Sequence, residues 1–302
     1  MQREKILAVL ALVGAVACWT GNYLFGGVVA HSMDMTSIMY IKWGTSVIPL
    51  LIIAHYLERP NWMALLRRWR LLFILSMLGI TCYSFGLFQA LRTSSAMNAS
   101  LINAFNPVLI LIGSTLVLKQ KLSIKKAAGI FIALIGVLWV TTGGHLLLVF
   151  EQRFKIGDLW MLGVITCWAA YTIIIRLTSE MPPLSSAGLQ ILIFTVLATP
   201  FAIYNGIHLP PAGPATWSIA YIAIFPSVVA YALWNLGARV IEPAEAGQYL
   251  NLVVPFAAVG TLVMGNGITT YEIVGGAFIL AGVFLSTDRK TETSVAKATA
   301  SA

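Results

Sequence analysis

Two aromatic–amide trios and two Asn–Pro pairs are the groups whose types and spacing suggest chemistry, and that chemistry is recognition rather than bond-making. Trp19 is followed at i+3 and i+4 by Asn22 and Tyr23, and Trp168 by Tyr171 and Thr172. That spacing places each trio on one helix face. Ring faces suit an apolar or aromatic group, and amides or hydroxyls suit a polar head; the competing reading is helix packing with satisfied polar tips. Asn103-x-x-x-Pro107 and Asn251-x-x-x-Pro255 form the second device. A proline inside a helix clashes with the carbonyl four residues earlier and removes one hydrogen bond. Kinks at Pro107 and Pro255 would leave a backbone acceptor beside Asn103 or Asn251, lining a wet cavity or re-satisfied by its own amide. Gln248 and Tyr249 lie a turn before Asn251.

Two further residues stand out. Tyr83 is the large ring in a stripe of small residues, Ser76, Gly79, Gly86 and Ala90, where it projects into a gap or packs. Lys42 is the basic residue clearly inside an apolar run, about 7 Å outward from the centre of its helix at 1.5 Å per residue. It snorkels to the outer head groups, or it meets a substrate carboxylate; intramembrane charge is otherwise expensive and functional. Enzyme motifs are missing: no Gly-rich phosphate loop, no Gly-x-Ser-x-Gly, no His-Glu-x-x-His and no mid-membrane pair of aspartates. Cys18, Cys82 and Cys167 show no metal-ligand spacing, and the four histidines are scattered near span ends. The expectation is a non-enzyme without metal or cofactor.

The elements that must position these groups follow from composition. Of 302 residues, 59% are hydrophobic and 10% charged, against about 25% charged in soluble domains. Soluble enzymes, disordered chains and disulfide scaffolds are excluded; the chain reads as an all-α integral membrane protein. Apolar runs place helices near 6–30, 36–57, 71–91, 96–118, 127–143, 158–178, 184–204, 215–238, 244–265 and 271–287. Arg3 and Lys5 before the first run mimic a signal peptide, but the run continues past Cys18 to about Ala30. Residues 288–302 read as a disordered tail. With a cytoplasmic N-terminus, fifteen of the 19 Lys and Arg fall inside, three (Arg92, Arg153 and Lys155) fall outside, and Lys42 lies within a span. Both termini are therefore expected in the cytoplasm, and the net charge of +8 is a topology signal rather than a nucleic-acid patch.

The chain also repeats. Cys18-Trp19 matches Cys167-Trp168, Asn103…Pro107 matches Asn251…Pro255, and Gly129 and Gly136 match Gly275 and Gly282. Five spans per half, an odd number, put the second copy upside down, an arrangement typical of transporters. The expected fold is ten transmembrane helices in two inverted five-helix repeats, 1–143 and 144–287, around a central cavity.

With a Pro in each fourth helix, a Leu118-Lys119-Gln120-Lys121-Leu122-Ser123 link and a Gly129-x6-Gly136 fifth helix, the sequence resembles the ten-helix drug/metabolite transporter superfamily in its EamA-type branch. Within that branch it is most similar to the aromatic amino-acid exporters of the bacterial inner membrane. The link Met264-Gly265-Asn266-Gly267 departs from the pattern, lacking the acid the family often carries there. The resemblance implies export of aromatic or large neutral amino acids by alternating access. Alternatives are a broad-range drug or metabolite exporter, a non-transporting membrane scaffold and an intramembrane enzyme. Partners are the amino-acid substrate and the lipid bilayer; the oligomeric state is open, a monomer being one option. The acids lie at span ends or in loops, so transport without an obligatory membrane-centre proton carrier is expected, with Glu242 and Glu245 the first suspects otherwise.

Overall fold

The computed structural model describes residues 2–93, 102, 103, 105–119, 123–151, 155–178, 180–210, 212–263 and 269–286. Among these, all regular structure is helical. In chain order the main helices are α1 Gln2–Ser32, α2 Met35–Glu58, α3 Trp69–Thr93, α4 Asn106–Leu118 and α5 Ile124–Thr141. They continue with α6 Ile156–Leu177, α7 Pro183–Asn205 and α8 Pro214–Val240. The ninth, α9, runs as Pro243–Tyr249, a 3-10 turn Leu250–Leu252 and Val253–Val263, and α10 is Thr270–Ser286. Seven of these are long and apolar enough to cross a membrane; α4 and α10 are shorter apolar helices. The expected tail 288–302, the start of the expected fourth span and the 264–267 link lie outside the described residues. Trp69 and Trp217 are exposed at helix ends, where amphipathic rings meet head groups.

One expectation is corrected at α4. The sequence pattern puts Pro107 inside a span running 96–118, but it sits in the first turn of a helix that begins at Asn106, after a turn at Phe105. Proline fits there because its missing N–H would be unpaired anyway and its φ already suits a helix. Pro107 is therefore a helix opener rather than a kink. At Pro255 the disturbance is real but takes another form: the chain tightens into the 3-10 turn containing Asn251 just before the proline. Pro49 in α2, Pro200 in α7 and Pro226 in α8 also lie inside helices.

Both α3 and α8 loosen by one residue at mid-length. Each contains a π-turn, Met77–Cys82 and Phe225–Val229, starting 148 residues apart. Such turns free carbonyls from the regular ladder. Hydroxyls five residues on collect them: Thr81 donates to the Ser76 carbonyl at 3.3 Å and Ser227 to that of Ile222 at 2.8 Å.

Small residues set the closest helix crossings, as expected where lipid removes the hydrophobic drive between helices. In the α5–α10 seam a Cβ on Gly129 would meet the Gly282 carbonyl at 2.6 Å, and one on Gly136 the Gly275 carbonyl at 2.7 Å. The contacts run in opposite order along the two helices, so the pair is antiparallel. Gly237 of α8 admits Leu12 and the Ala8 carbonyl of α1 in the same way. The end of α2 also holds the start of α7. Glu58 accepts from the N–H groups of Leu184 and Ser185, both at 2.8 Å, and from the Ser185 hydroxyl. A carboxylate suits a helix N-terminus because unpaired N–H groups and the helix dipole converge there.

Candidate functional site

Three indoles from three helices meet at the centre. Trp19 of α1 lies 5.0 Å edge-on from Trp168 of α6, and Trp234 of α8 lies 5.3 and 5.5 Å from those two. Tyr83 joins at 4.8 Å from Trp168, and Tyr171 at 5.3 Å on the same ring. Such offset and edge-on pairs gain about 0.5–1.5 kcal/mol beyond their burial. The cage is pinned from behind. Trp19 donates its indole N–H to the Pro226 carbonyl at 2.9 Å, within the π-turn of α8. Tyr171 donates to Asn235, Asn235 donates to the Tyr231 carbonyl, and Tyr231 donates to Gln190, all within 2.7–3.0 Å. Ser76 holds the Gln190 carbonyl at 2.7 Å.

Against the cage lies a small cavity of about 20 Å³, space for about one water molecule. Trp19 and Asn22 wall it from α1, Tyr83 from α3 and Trp168 from α6; Asn103 and Asn106 close it at the fourth segment, and Leu250 and Val253 at α9. No charged side chain lines it among the described residues. Around it the polar bookkeeping does not close. Among the described residues, Asn22 Oδ1, Asn106 Oδ1, Asn251 Nδ2, the indole N–H groups of Trp168 and Trp234, and both ends of the Gln248 amide have no hydrogen-bond partner. Such buried groups cost about 1–3 kcal/mol each when left unpaired. That concentration of unpaired donors and acceptors beside a ring cage is what a polar head group with an apolar body would satisfy.

Of the residues singled out from sequence, Trp19, Asn22, Tyr83, Asn103 and Trp168 share this cavity, and Tyr171 stands directly behind Trp168. Gln248 and Asn251 are buried on the same α9 turn without forming its wall. Tyr249 does not join them: with Leu252 it lines a different space, an apolar groove of about 740 Å³ between α1, α5, α9 and α10. Lys42 does not snorkel. It is 2% exposed, its Nζ sits 4.8 Å over the Trp43 ring and 5.5 Å over that of Phe88, and it is not a wall of the cavity. Ring faces attract cations through their quadrupoles, which accounts for a buried ammonium with no carboxylate in ion-pair range among the described residues.

Several participants escaped the sequence reading: Trp234, Tyr231, Asn235, Gln190 and Asn106. Tyr231, Trp234 and Asn235 carry the same i, i+3, i+4 spacing that marked Trp19 and Asn22, so that signal was available.

A bundle of apolar helices around a small ring-lined cavity is an arrangement suited to a membrane transporter of small metabolites, the class to which sequence comparison assigns the chain. Profile matching gives the family: the sequence model described as "EamA-like transporter family" matches residues 6–142 and again 155–287, so the chain belongs to that family, within the drug/metabolite transporter superfamily. A Bacillus subtilis protein named "Uncharacterized transporter YyaM" is 27% identical over 80% of this chain and 81% of its own. An "Uncharacterized transporter" of Archaeoglobus fulgidus is 24% identical over 93% and 97%. One solved crystal structure superposes with a TM-score of 0.75 over 93% of this chain and 97% of that one, at 18% identity, a likeness of fold.

Proposed function

We propose that this protein exports aromatic or large neutral amino acids across a bacterial inner membrane by alternating access, with both termini in the cytoplasm. The observation that carries the reading is the cavity: indole and phenol faces for the side chain, with unpaired amides and indole N–H groups for a zwitterionic head. The absence of charge among its described walls disfavours solutes of high net charge. A free amino acid does not fit in about 20 Å³, so the helices must part around it during the cycle. Halves 1–143 and 144–287 are proposed as inverted repeats. In support, Trp19 touches its equivalent Trp168, and the α5–α10 glycines meet crosswise. Lys42 is proposed to meet the substrate carboxylate at another stage of the cycle, since it does not wall this cavity. The two acids nearest α9's start are each paired, Glu242 with Lys126 at 2.5 Å and Glu245 with Lys5 at 3.7 Å. Transport down a gradient is expected.

A flux panel in reconstituted vesicles tests the reading. Saturable movement of phenylalanine, tryptophan and leucine, unchanged chemically, with little movement of organic cations or phosphates, is the expected result. Equal flux of aromatic drugs and amino acids would favour the broad-range exporter built on the same rings. No flux of any solute would leave a scaffold. Uphill accumulation driven by a pH gradient would overturn the uncoupled mode. Lys42→Ala should weaken amino-acid flux more than that of the decarboxylated amine; equal loss would assign Lys42 to packing.

A further inference from the structure

Behind the cage, on the face of α3 and α6 turned to the membrane, two cysteines meet. The register of this helix pair follows from its closest contacts. A Cβ on Gly79 would lie 2.6 Å from the Tyr171 ring, and one on Gly86 would lie 2.7 Å from Val164 Cγ2. These contacts run in opposite order along the two helices, so α3 and α6 are antiparallel and glycine brings them close at both ends of one stretch. With 79 set against 171 and 86 against 164, Cys82 and Cys167 lie opposite one another between those two points, close enough for their thiols to interact. Each is followed by a cage residue, Tyr83 or Trp168, whose rings stand 4.8 Å apart on the cavity side. The helix pair therefore presents its rings inward and its thiols outward. Cys82 is exposed and Cys167 half-exposed, which in a membrane-spanning helix means contact with lipid. Cys82 also closes the π-turn of α3.

We propose that Cys82 and Cys167 are a dithiol modification site whose oxidation locks the carrier. Both S–H bonds break, one S–S bond forms, and two electrons and two protons pass to a lipid-soluble two-electron acceptor of the quinone class, which leaves as the quinol. An acceptor of that class dissolves where these thiols lie, while a water-soluble oxidant does not. Holding the thiols on facing positions of one close helix pair replaces a chance encounter with a preset one. The product is uncharged and suits hydrocarbon. An S–S bond of about 2.05 Å requires Cα atoms about 4.4–6.8 Å apart, a separation that the glycine contacts on either side favour. Once formed, it ties the α3 π-turn to α6 and fixes Tyr83 against Trp168, so the cavity between them cannot widen to admit a solute. The locking effect rests on the transport reading above; the bond itself does not.

The experiment uses the full-length chain with Cys18→Ser, so that only the pair remains. Vesicles are treated with a membrane-permeant quinone, denatured, and labelled with a heavy maleimide. Two tags before oxidation, none after it and two again after dithiothreitol are expected; two tags throughout would overturn the site. Cys82→Ser and Cys167→Ser should each keep one tag regardless of oxidant, and loss of that tag would point to oxidation outside the pair. If a serine variant fails to accumulate, the tag count on Cys18→Ser decides alone. Flux is read in the same vesicles: oxidation should abolish it and reductant restore it. Full flux with no tags left would overturn the lock while keeping the bond. Lack of amino-acid flux in the fully reduced protein would instead count against the transport reading.

Discussion

The α5–α10 seam and the central cage are both buried, and they are built on opposite terms. At the seam, backbone meets backbone through Gly129, Gly136, Gly275 and Gly282, and the amides are paired within their own helices. At the cage, large rings hold the helices apart and leave a set of amide and indole groups unpaired. The first region is finished without a ligand. The second is chemically incomplete, and that incompleteness is what supports the transport reading proposed for it.

Four changes would break or sharpen that contrast. The largest effect is expected from Trp168→Ala, which removes the ring that touches Trp19, Tyr83, Tyr171 and Trp234. About 3–5 kcal/mol of stability should go, with flux, read by thermal unfolding in detergent and by vesicle uptake. If stability were untouched, the cage would not be holding the helices. Next, Gly282→Val places a branched Cβ 2.5 Å from the Gly129 carbonyl. It should cost about 1–3 kcal/mol while substrate affinity in the surviving folded protein stays near wild type. A large change in affinity would merge seam and cage into one unit. Third, Gln248→Leu replaces an amide with both ends unpaired. Relief of that penalty should raise stability by about 1 kcal/mol and lower flux. A stability loss would mean the amide is satisfied in the folded protein and belongs to the finished kind of region.

The smallest effect lies away from both. Asp34 caps α2 through the Ser37 N–H at 2.9 Å and faces His208 at 3.4 Å. Partial burial alone would push its carboxyl up, but the hydrogen bonds and His208 outweigh that and hold it below the usual range. A depressed folded value means the stabilisation is present above the unfolded value of about 3.9 and is lost as pH falls through the folded one. Melting temperature should therefore drop slightly more on acidification through pH 4 in the wild type than in Asp34→Asn. Parallel pH curves for the two would remove this cap from the account.

Which parts were legible in the sequence follows from the same contrast. Rings in mid-span are conspicuous because Trp belongs at membrane interfaces, so Trp19, Trp168 and Tyr83 announced themselves. Trp234 and Tyr231 fell near the end of their apolar run, where aromatics are ordinary, and only their spacing with Asn235 gave them away. The break before α4 was hidden because a proline four residues after an Asn reads alike in a kink and in a first turn, and an apolar run has no polar flank to tell them apart. Lys42 was conspicuous as a lone cation in an apolar run; its seat over Trp43 and Phe88 was not readable, because Phe88 comes from another helix. The π-turn of α3 has no residue signature, whereas that of α8 holds Pro226, which cannot donate to the regular ladder.

The glycine seam has a consequence for ancestry. Shift by 146 residues, the offset between Gly129 and Gly275 or Gly136 and Gly282, and the contact Gly129–Gly282 becomes Gly275–Gly136, which is the other contact. The pair of contacts is closed under exchange of the halves. On the inverted-repeat reading proposed above, a five-helix ancestor would have needed only one such pair of glycines to join a second copy of itself in the opposite orientation. Under that reading a doubling of the gene would have required no new mutation at this joint, leaving each half to diverge wherever the two copies do not face each other.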